Sequence, residues 1–435
     1  MSEGSVEEAS QLVVVEGAGE RLESWYGWRN GLPERVVRSI PEGYVRMLDK
    51  AAENREKMRG MAEEKRIAVV IVARDAACVL PNTVKEITEQ MKTCGLYGEV
   101  FVVLNGGGGD TKECLKKDEE EIKASFGVDR VIKGRAHKRS DGMSLGEPNK
   151  IELDGSYIEG KGEIRLIVVD QEDHPDNLGK VRGQRDIYNY LLEANNEGYC
   201  PKWLLAIDAE TRLRKVDPHS HRVITNEAGG LGELLKATQG GERIVGAKLH
   251  FVPYGDDGNP DWEVKVPPMQ KTVSLLHGSR GFEWCPGGAT LGEFTKIVPI
   301  AAAMGNKLPG SRIEDNVITV TARTMGVPTL VHEGVVHTNR CPGNDEPRLA
   351  YEQIKRWMKG QVGLERAFGR DLTRLVLNPR LDRVIINPLI KAFKRDGQIR
   401  VRDIPYLLQG LPPYLSAIRQ ARLHPDDYFR GDASW

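Results

Sequence analysis

The chain has little of several things, and each shortage removes a class of protein. In 435 residues no apolar run approaches the roughly 20 residues that a membrane-spanning helix needs. Excess charge is missing too: 62 basic and 63 acidic residues leave a formal net charge of −1, so bulk electrostatic binding to nucleic acid or an anionic membrane is not expected. Cysteine is sparse. The six residues Cys78, Cys94, Cys114, Cys200, Cys285 and Cys341 contain no C-x-x-C pair, which argues against a disulfide framework or a structural zinc site and for reduced thiols. The segment Met1–Glu8 is acidic and lacks a basic stretch followed by an apolar core, so no secretory signal is expected. The composition therefore points to a cytoplasmic protein, compatible with peripheral membrane contact, and long enough for two or three domains.

What is present begins with buried-strand patterning. Ala68–Ala73, Glu99–Leu104, Ile164–Val169 and Trp203–Ile207 are short, β-rich apolar runs, and the first two flank a helical stretch over Pro81–Thr93. Such runs, separated by helices, predict an α/β fold whose mostly parallel sheet is covered on both faces. In these sheets ligands sit beyond the carboxyl ends of the strands. Residues 110–160 are expected to be a long polar connection, either a solvated insertion or an acceptor-binding flap. Before the sheet, Ser39–Glu42 has the composition of a capping box, and apolar residues from Tyr44 to Met61 predict a helix to about Lys65.

Polar signatures follow the ends of the strands. Asp208 and Glu210 stand one residue apart after Ile207, where a turn can aim both carboxylates at one hard divalent cation, Mg²⁺ or Mn²⁺. Asn105–Asp110 is a glycine run that fails both the P-loop and the dinucleotide fingerprints, because Thr111 stands where each requires glycine. Lys180 and Arg185 open a helix after the third run, where cations and backbone N–H groups can meet a diphosphate. Gly287 and Gly288 lie in the segment Gly281–Thr290, and Glu314–Asp315 precedes an apolar helix. His332 and His337 are five apart on a β-rich stretch, which excludes the H-E-x-x-H metalloprotease pattern. Gln353, Arg356 and Trp357 form Q-x-x-R-W on a predicted helix.

The order of these signatures resembles the family 2 glycosyltransferases: an acidic pair, a second acidic pair about a hundred residues on, then Q-x-x-R-W. That resemblance covers roughly residues 66–363 and implies a GT-A fold, a Rossmann-like sheet with flanking helices. It leaves residues 1–65 and 364–435 as helical extensions. It further implies an inverting enzyme that moves a sugar from a nucleotide-diphosphate sugar, UDP-linked in the first instance, to a glycan or small-molecule hydroxyl. By the same resemblance Asp208 and Glu210, with His337 as an added ligand, hold the metal. Ala73, Arg74, Asp75, Asn105, Asp110, Lys180, Arg185, Gly287 and Gly288 line the donor site. Asp315, beside Glu314, is the catalytic base, and Gln353, Arg356 and Trp357 meet the acceptor and diphosphate. Competing readings are a nucleotidyltransferase, whose Gly-x-Gly-Thr-Arg signature does not appear at Val72–Asp75, and a non-catalytic nucleotide-sugar-binding protein.

Overall fold

The computed structural model describes residues 40–58, 61–137, 148–158, 161–171, 180–216, 223–224, 229–252, 288–304 and 314–340, together with residues 38, 268, 368, 408, 409 and 412. The strands are β1 (Glu63–Ala73), β2 (Tyr97–Leu104), β3 (Arg130–His137), β4 (Lys150–Leu153), β5 (Ile164–Asp170), β6 (Pro201–Ile207), β7 (Arg212–Val216), β8 (Val223–Ile224), β9 (Ile244–Val252), β10 (Ala289–Glu293) and β11 (Thr329–Arg340). They form one sheet in the order β4-β3-β5-β2-β1-β6-β10-β9-β11-β7-β8. The run from β3 to β6 is parallel throughout, as are β9 and β11, while β4, β10 and β7 join antiparallel. The expected α/β architecture around a parallel sheet is present.

The helices are α1 (Glu42–Lys57), α2 (Leu80–Thr93), α3 (Glu119–Phe126), α4 (Lys180–Asn196), α5 (Gly229–Ala237), α6 (Phe294–Ala303) and α7 (Glu314–Thr324). Alternate residues of each central strand point to opposite faces. Val70, Phe101, Val103, Ile167 and Leu204 meet α1, α4, α6 and α7 in one core. Val69, Val100, Val102, Leu166 and Leu205 meet α2, α3 and α5 in the other. Both faces are dry, which is why these strands read as continuous apolar runs.

Helix α1 buries Tyr44, Met47, Leu48 and Ala51, one stripe at helical spacing, in the first of these cores. Asn54 Nδ2 donates to the Pro299 carbonyl (3.3 Å), and Tyr44 Oη donates to Thr324 Oγ1 (3.3 Å), tying α1 to α6 and α7. The helix differs from its sequence expectation at both ends. Pro41 occupies the N-cap position without a side-chain cap, and the helix stops at Lys57 because β1 already begins at Glu63.

A larger correction concerns residues 110–160, which are not one long connection. They complete a 3-10 turn (Asn105–Leu115), then form α3, β3 and β4. Asp118 caps α3 by accepting from the Glu121 amide (2.9 Å), and Gly127 ends it in the left-handed conformation (φ 68°). In β3, Ile132, Gly134 and Ala136 are buried while Lys133 and Arg135 are exposed, so its basic residues are the wet side of a sheet strand.

At the amino ends of the central strands lies a buried ionic cluster. Glu99 on β2 is fully buried and accepts from Arg66 Nη2 (2.8 Å), Arg165 Nη1 (3.4 Å) and Tyr199 Oη (2.7 Å). Arg66 also donates to the Tyr157 and Ile158 carbonyls (2.9 and 3.2 Å), and its guanidinium lies 4.6 Å from the centre of the Tyr199 ring. Burial disfavours the Arg66 cation, but the Glu99 carboxylate outweighs it and holds the guanidinium pKa above its ordinary value. Glu99→Gln should cost about 3–5 kcal/mol, because it removes the one fully buried carboxylate from two buried guanidinium groups and leaves them only the more exposed Glu63 and Glu163. Chemical denaturation of the variant beside the parent measures this.

Candidate active site

The parallel strands end level with one another. Ala73 is in register with Leu104, and Leu104 with Asp170. After β1 the chain moves through α2 to β2 on one side, whereas β6 lies on the other side of β1. The carboxyl ends of β1 and β6 therefore flank a topological switch point, where open α/β sheets bind ligands. The predicted residues Ala73–Asp75 and Asp208–Glu210 follow these two strands.

Asp208 begins a tight turn in which the Thr211 amide donates to the Asp208 carbonyl (3.0 Å). Strand β10 runs antiparallel to β6 with Ala289 opposite Ile207, so the Asp208 amide donates to the Gly288 carbonyl (3.1 Å). On the other side, Thr83 Oγ1 on α2 donates to the Ala209 carbonyl (2.7 Å) and accepts from the buried Arg212 Nη1 (2.7 Å). Glu86 ion-pairs with Arg214 (2.9 Å) and accepts from the Leu213 amide (3.2 Å). Burial pushes the Glu86 carboxyl up, against the pull of Arg214 and Arg212. The acidic turn is thus clamped between α2 and β10 rather than left as a surface loop.

Lys180, the first residue of α4, forms an ion pair with the Asp208 carboxylate. Their side chains are 27% and 18% exposed, so this charge pair is open to solvent on one side. Deeper in α4, Gly183 allows the helix to sit on the sheet: a Cβ there would lie 3.1 Å from Val72 and 3.4 Å from Val103. Arg185 turns the other way. It is buried against Asp186, whose carboxylate also accepts from the Asn149 amide and side chain (3.1 and 2.7 Å) and from Gln171 (3.2 Å).

The loops after β1 and β2 are stitched together. The Asp75 amide donates to the Gly108 carbonyl (3.1 Å), and Asp75 Oδ1 accepts from the Asp110 amide (3.2 Å). Asp110 Oδ1 accepts from the Ala77 amide (3.1 Å), and Thr111 Oγ1 from the Ala76 amide (3.0 Å). Asp75 holds a left-handed backbone (φ 52°), a strained position for a residue with a side chain. Arg74 Nε lies 3.4 Å from the Asp75 carboxylate, and the buried Nη1 of Arg74 has no hydrogen-bond partner among the described residues. Asn105 is buried at the head of the 3-10 turn.

The remaining predicted residues are spread over later elements. Glu314 and Asp315 are the first two residues of α7, inside its first turn rather than before it, and Thr319 Oγ1 donates to the Asp315 carbonyl (2.7 Å). His337 lies in β11 opposite Leu213 of β7, the strand that leaves the acidic turn. His332 Nδ1 accepts from the Gly334 amide (3.1 Å). Gly287, Gln353, Arg356 and Trp357 lie outside the described residues.

Several residues at the site are not evident in the sequence. Asp170 ends β5 beside Leu104 and ion-pairs with Lys112 of the 3-10 turn (2.9 Å). Thr83 and Arg212 are 129 residues apart and no local motif marks them. Among the described residues no group of three or more His, Cys, Asp or Glu side chains forms a metal cage. The donor set still fits Mg²⁺ or Mn²⁺: one or two carboxylate oxygens at a strand end suffice when phosphate and water complete the coordination.

No family profile matches the chain, and no curated protein does. Among solved structures the chain is similar to the mannosyltransferase PcManGT from Pyrobaculum calidifontis in complex with GDP-Man and Mn²⁺, at 9% identity and a TM-score of 0.43, covering 88% of this chain and 95% of that one. It is similar to S. aureus TarS 1-349 at 11% identity and a TM-score of 0.32, covering 84% and 89%. A third likeness is to mannosyl-3-phosphoglycerate synthase from Rubrobacter xylanophilus, at 14% identity and a TM-score of 0.30, covering 79% and 85%. With identities of at most 14% and TM-scores of at most 0.43, the case for an activity rests on this chain's own residues.

Gly109 (φ 54°) sits where an added Cβ would fall 1.8 Å from Asp75 Oδ1. Gly109→Ala should therefore cost about 1–2 kcal/mol for the left-handed backbone alone. It should also loosen the two stitched loops. Thermal unfolding measures the first effect, and hydrogen exchange at the Asp75 and Asp110 amides the second.

Proposed function

We propose that this chain is a metal-dependent, inverting glycosyltransferase of GT-A type that uses a nucleotide-diphosphate sugar, UDP-linked in the first instance. The observation that carries the reading is the Lys180–Asp208 pair at the switch point of a parallel sheet. A carboxylate on a clamped strand-end turn, beside a lysine at a helix start, supplies both charges that a metal–diphosphate unit needs. The ordered sequence signatures support the same class.

In this reading the stitched loops after β1 and β2 hold the nucleoside, with Ala73, Arg74, Asp75, Asn105 and Asp110 as its walls. Lys180 would meet the diphosphate, while Asp208, Glu210 and His337 would hold the cation. When bound, the divalent ion would neutralise charge on the departing diphosphate. Asp315 accepts the proton of the acceptor hydroxyl as that oxygen attacks the anomeric carbon, and the bond from that carbon to the diphosphate breaks. Gln353, Arg356 and Trp357 belong to the acceptor and diphosphate end, and the acceptor is a glycan or small-molecule hydroxyl. The catalytic unit spans residues 66–363, with helical extensions on either side, and acts in the cytoplasm. No helix among the described residues is long and apolar enough to cross a membrane.

Two substitutions test the assignment. Asp208→Asn should abolish the enhancement of UDP binding by Mn²⁺ in calorimetric titration; equal enhancement in variant and parent would remove Asp208 from the metal site. Asp315→Asn should leave UDP binding near the parental value and lower turnover of the donor by about 10²–10⁴-fold. Weakened UDP binding with unchanged turnover would make Asp315 a binding residue instead.

A further inference from the structure

The ammonium of Lys180 occupies the Asp208 carboxylate on which the proposed function places a divalent cation. Both groups are fixed at their bases, Lys180 at the start of the 17-residue helix α4 and Asp208 by its amide bond to Gly288 and the turn to Thr211. The lysine side chain is long and single-bonded throughout, so its head can change partner without any movement of the helix. Two positive ions cannot share one carboxylate cheaply. Their mutual repulsion opposes a cation at Asp208 while the ammonium remains there.

We propose that Lys180 acts as a built-in competitor for the metal. It blocks a divalent cation at Asp208 until a diphosphate draws the ammonium away, so metal and nucleotide load together. This inference rests on the proposed function and deepens it. In the empty site Lys180 neutralises Asp208 and weakens its affinity for a free cation. When a nucleotide diphosphate arrives, its oxygens take Lys180 as a partner and offer ligands to the cation, and the repulsion between the two positive groups is offset. By linkage, the factor by which nucleotide strengthens metal binding equals the factor by which metal strengthens nucleotide binding. Direct metal–phosphate bonding also couples the two ligands, so the share due to Lys180 is the part that replacing Lys180 removes.

The sign of one substitution decides the matter. Lys180→Met should tighten binding of Mn²⁺ alone by about tenfold, equivalent to about 1.4 kcal/mol. It should also weaken UDP binding in the presence of Mn²⁺ and shrink the mutual enhancement. The readouts are the electron paramagnetic resonance signal of free Mn²⁺ and calorimetry with UDP and GDP, on full-length protein whose melting temperature is followed in parallel. Lys180→Arg should keep the parental behaviour, because the charge remains. If the Met variant does not fold, Lys180→Gln serves the same comparison, and the parent alone gives a further test: Mn²⁺ and UDP binding independently of each other would overturn the proposal. So would an unchanged or weaker Mn²⁺ affinity in a folded Met or Gln variant. A parent that binds neither Mn²⁺ with nucleotide nor nucleotide alone would instead sink the glycosyltransferase reading itself.

Discussion

The structure depends on one buried carboxylate. Glu99 is held by Arg66 from β1, Arg165 from β5 and Tyr199 from the approach to β6. These groups lie at the amino ends of neighbouring strands, on the face that carries Val70, Phe101 and Ile167. A slip of one residue in either pairing would turn Glu99 or an arginine into the opposite, wholly apolar face. Parallel strands have no hairpin turn to set their register, and a charge cluster that can be satisfied in one alignment supplies that missing constraint. Correct alignment at the amino ends fixes the carboxyl ends as well, which is why Ala73, Leu104 and Asp170 finish side by side.

The carboxyl end of the sheet is built differently. There the backbone leaves regular structure, and its polar groups are satisfied by short-range exchanges between loops: Asp75 with the 108–110 backbone, Asp110 with Ala77, Thr111 with Ala76. The acidic turn is tied to α2 through Thr83 and to β10 through Gly288. These bonds lie beneath a partly exposed Lys180–Asp208 pair.

Much of the fold was legible because a sheet covered on both faces leaves an unmistakable trace. Within β1, β2, β5 and β6 the runs Ile67–Ala73, Val100–Leu104, Leu166–Val169 and Trp203–Ile207 are apolar at every position, the pattern that burial on two sides produces. β3 was missed because it is an outer strand with one wet face. Its Ile132, Gly134 and Ala136 alternate with Lys133 and Arg135, and the charges masked the period of two. The run Lys116–Glu121 looked like a solvated stretch, although Asp118 followed by Glu121 is itself a helix-start signal. At the site, Lys180 and Asp208 were legible because each closes or opens an element at a recognisable boundary. Arg185 looked equally exposed in sequence, but the helix turns it inward to Asp186. Thr83, Arg212, Asp170 and Lys112 gave no warning, since their roles exist only once distant segments meet.

The order of the strands has a consequence for the protein in a crowded solution. Among the described residues the sheet ends in β4 and β8, its two shortest strands there, of four and two residues. β4 also sets the charged Lys150 and Glu152 on its exposed side. An open sheet invites a second molecule to add a strand at its margin, and the short, charged β4 discourages that on its side. The strands most prone to stick, such as Val69–Val72 and Val100–Val103, lie several places from either margin. The β4 margin thus opposes self-templated aggregation, separately from anything the protein binds.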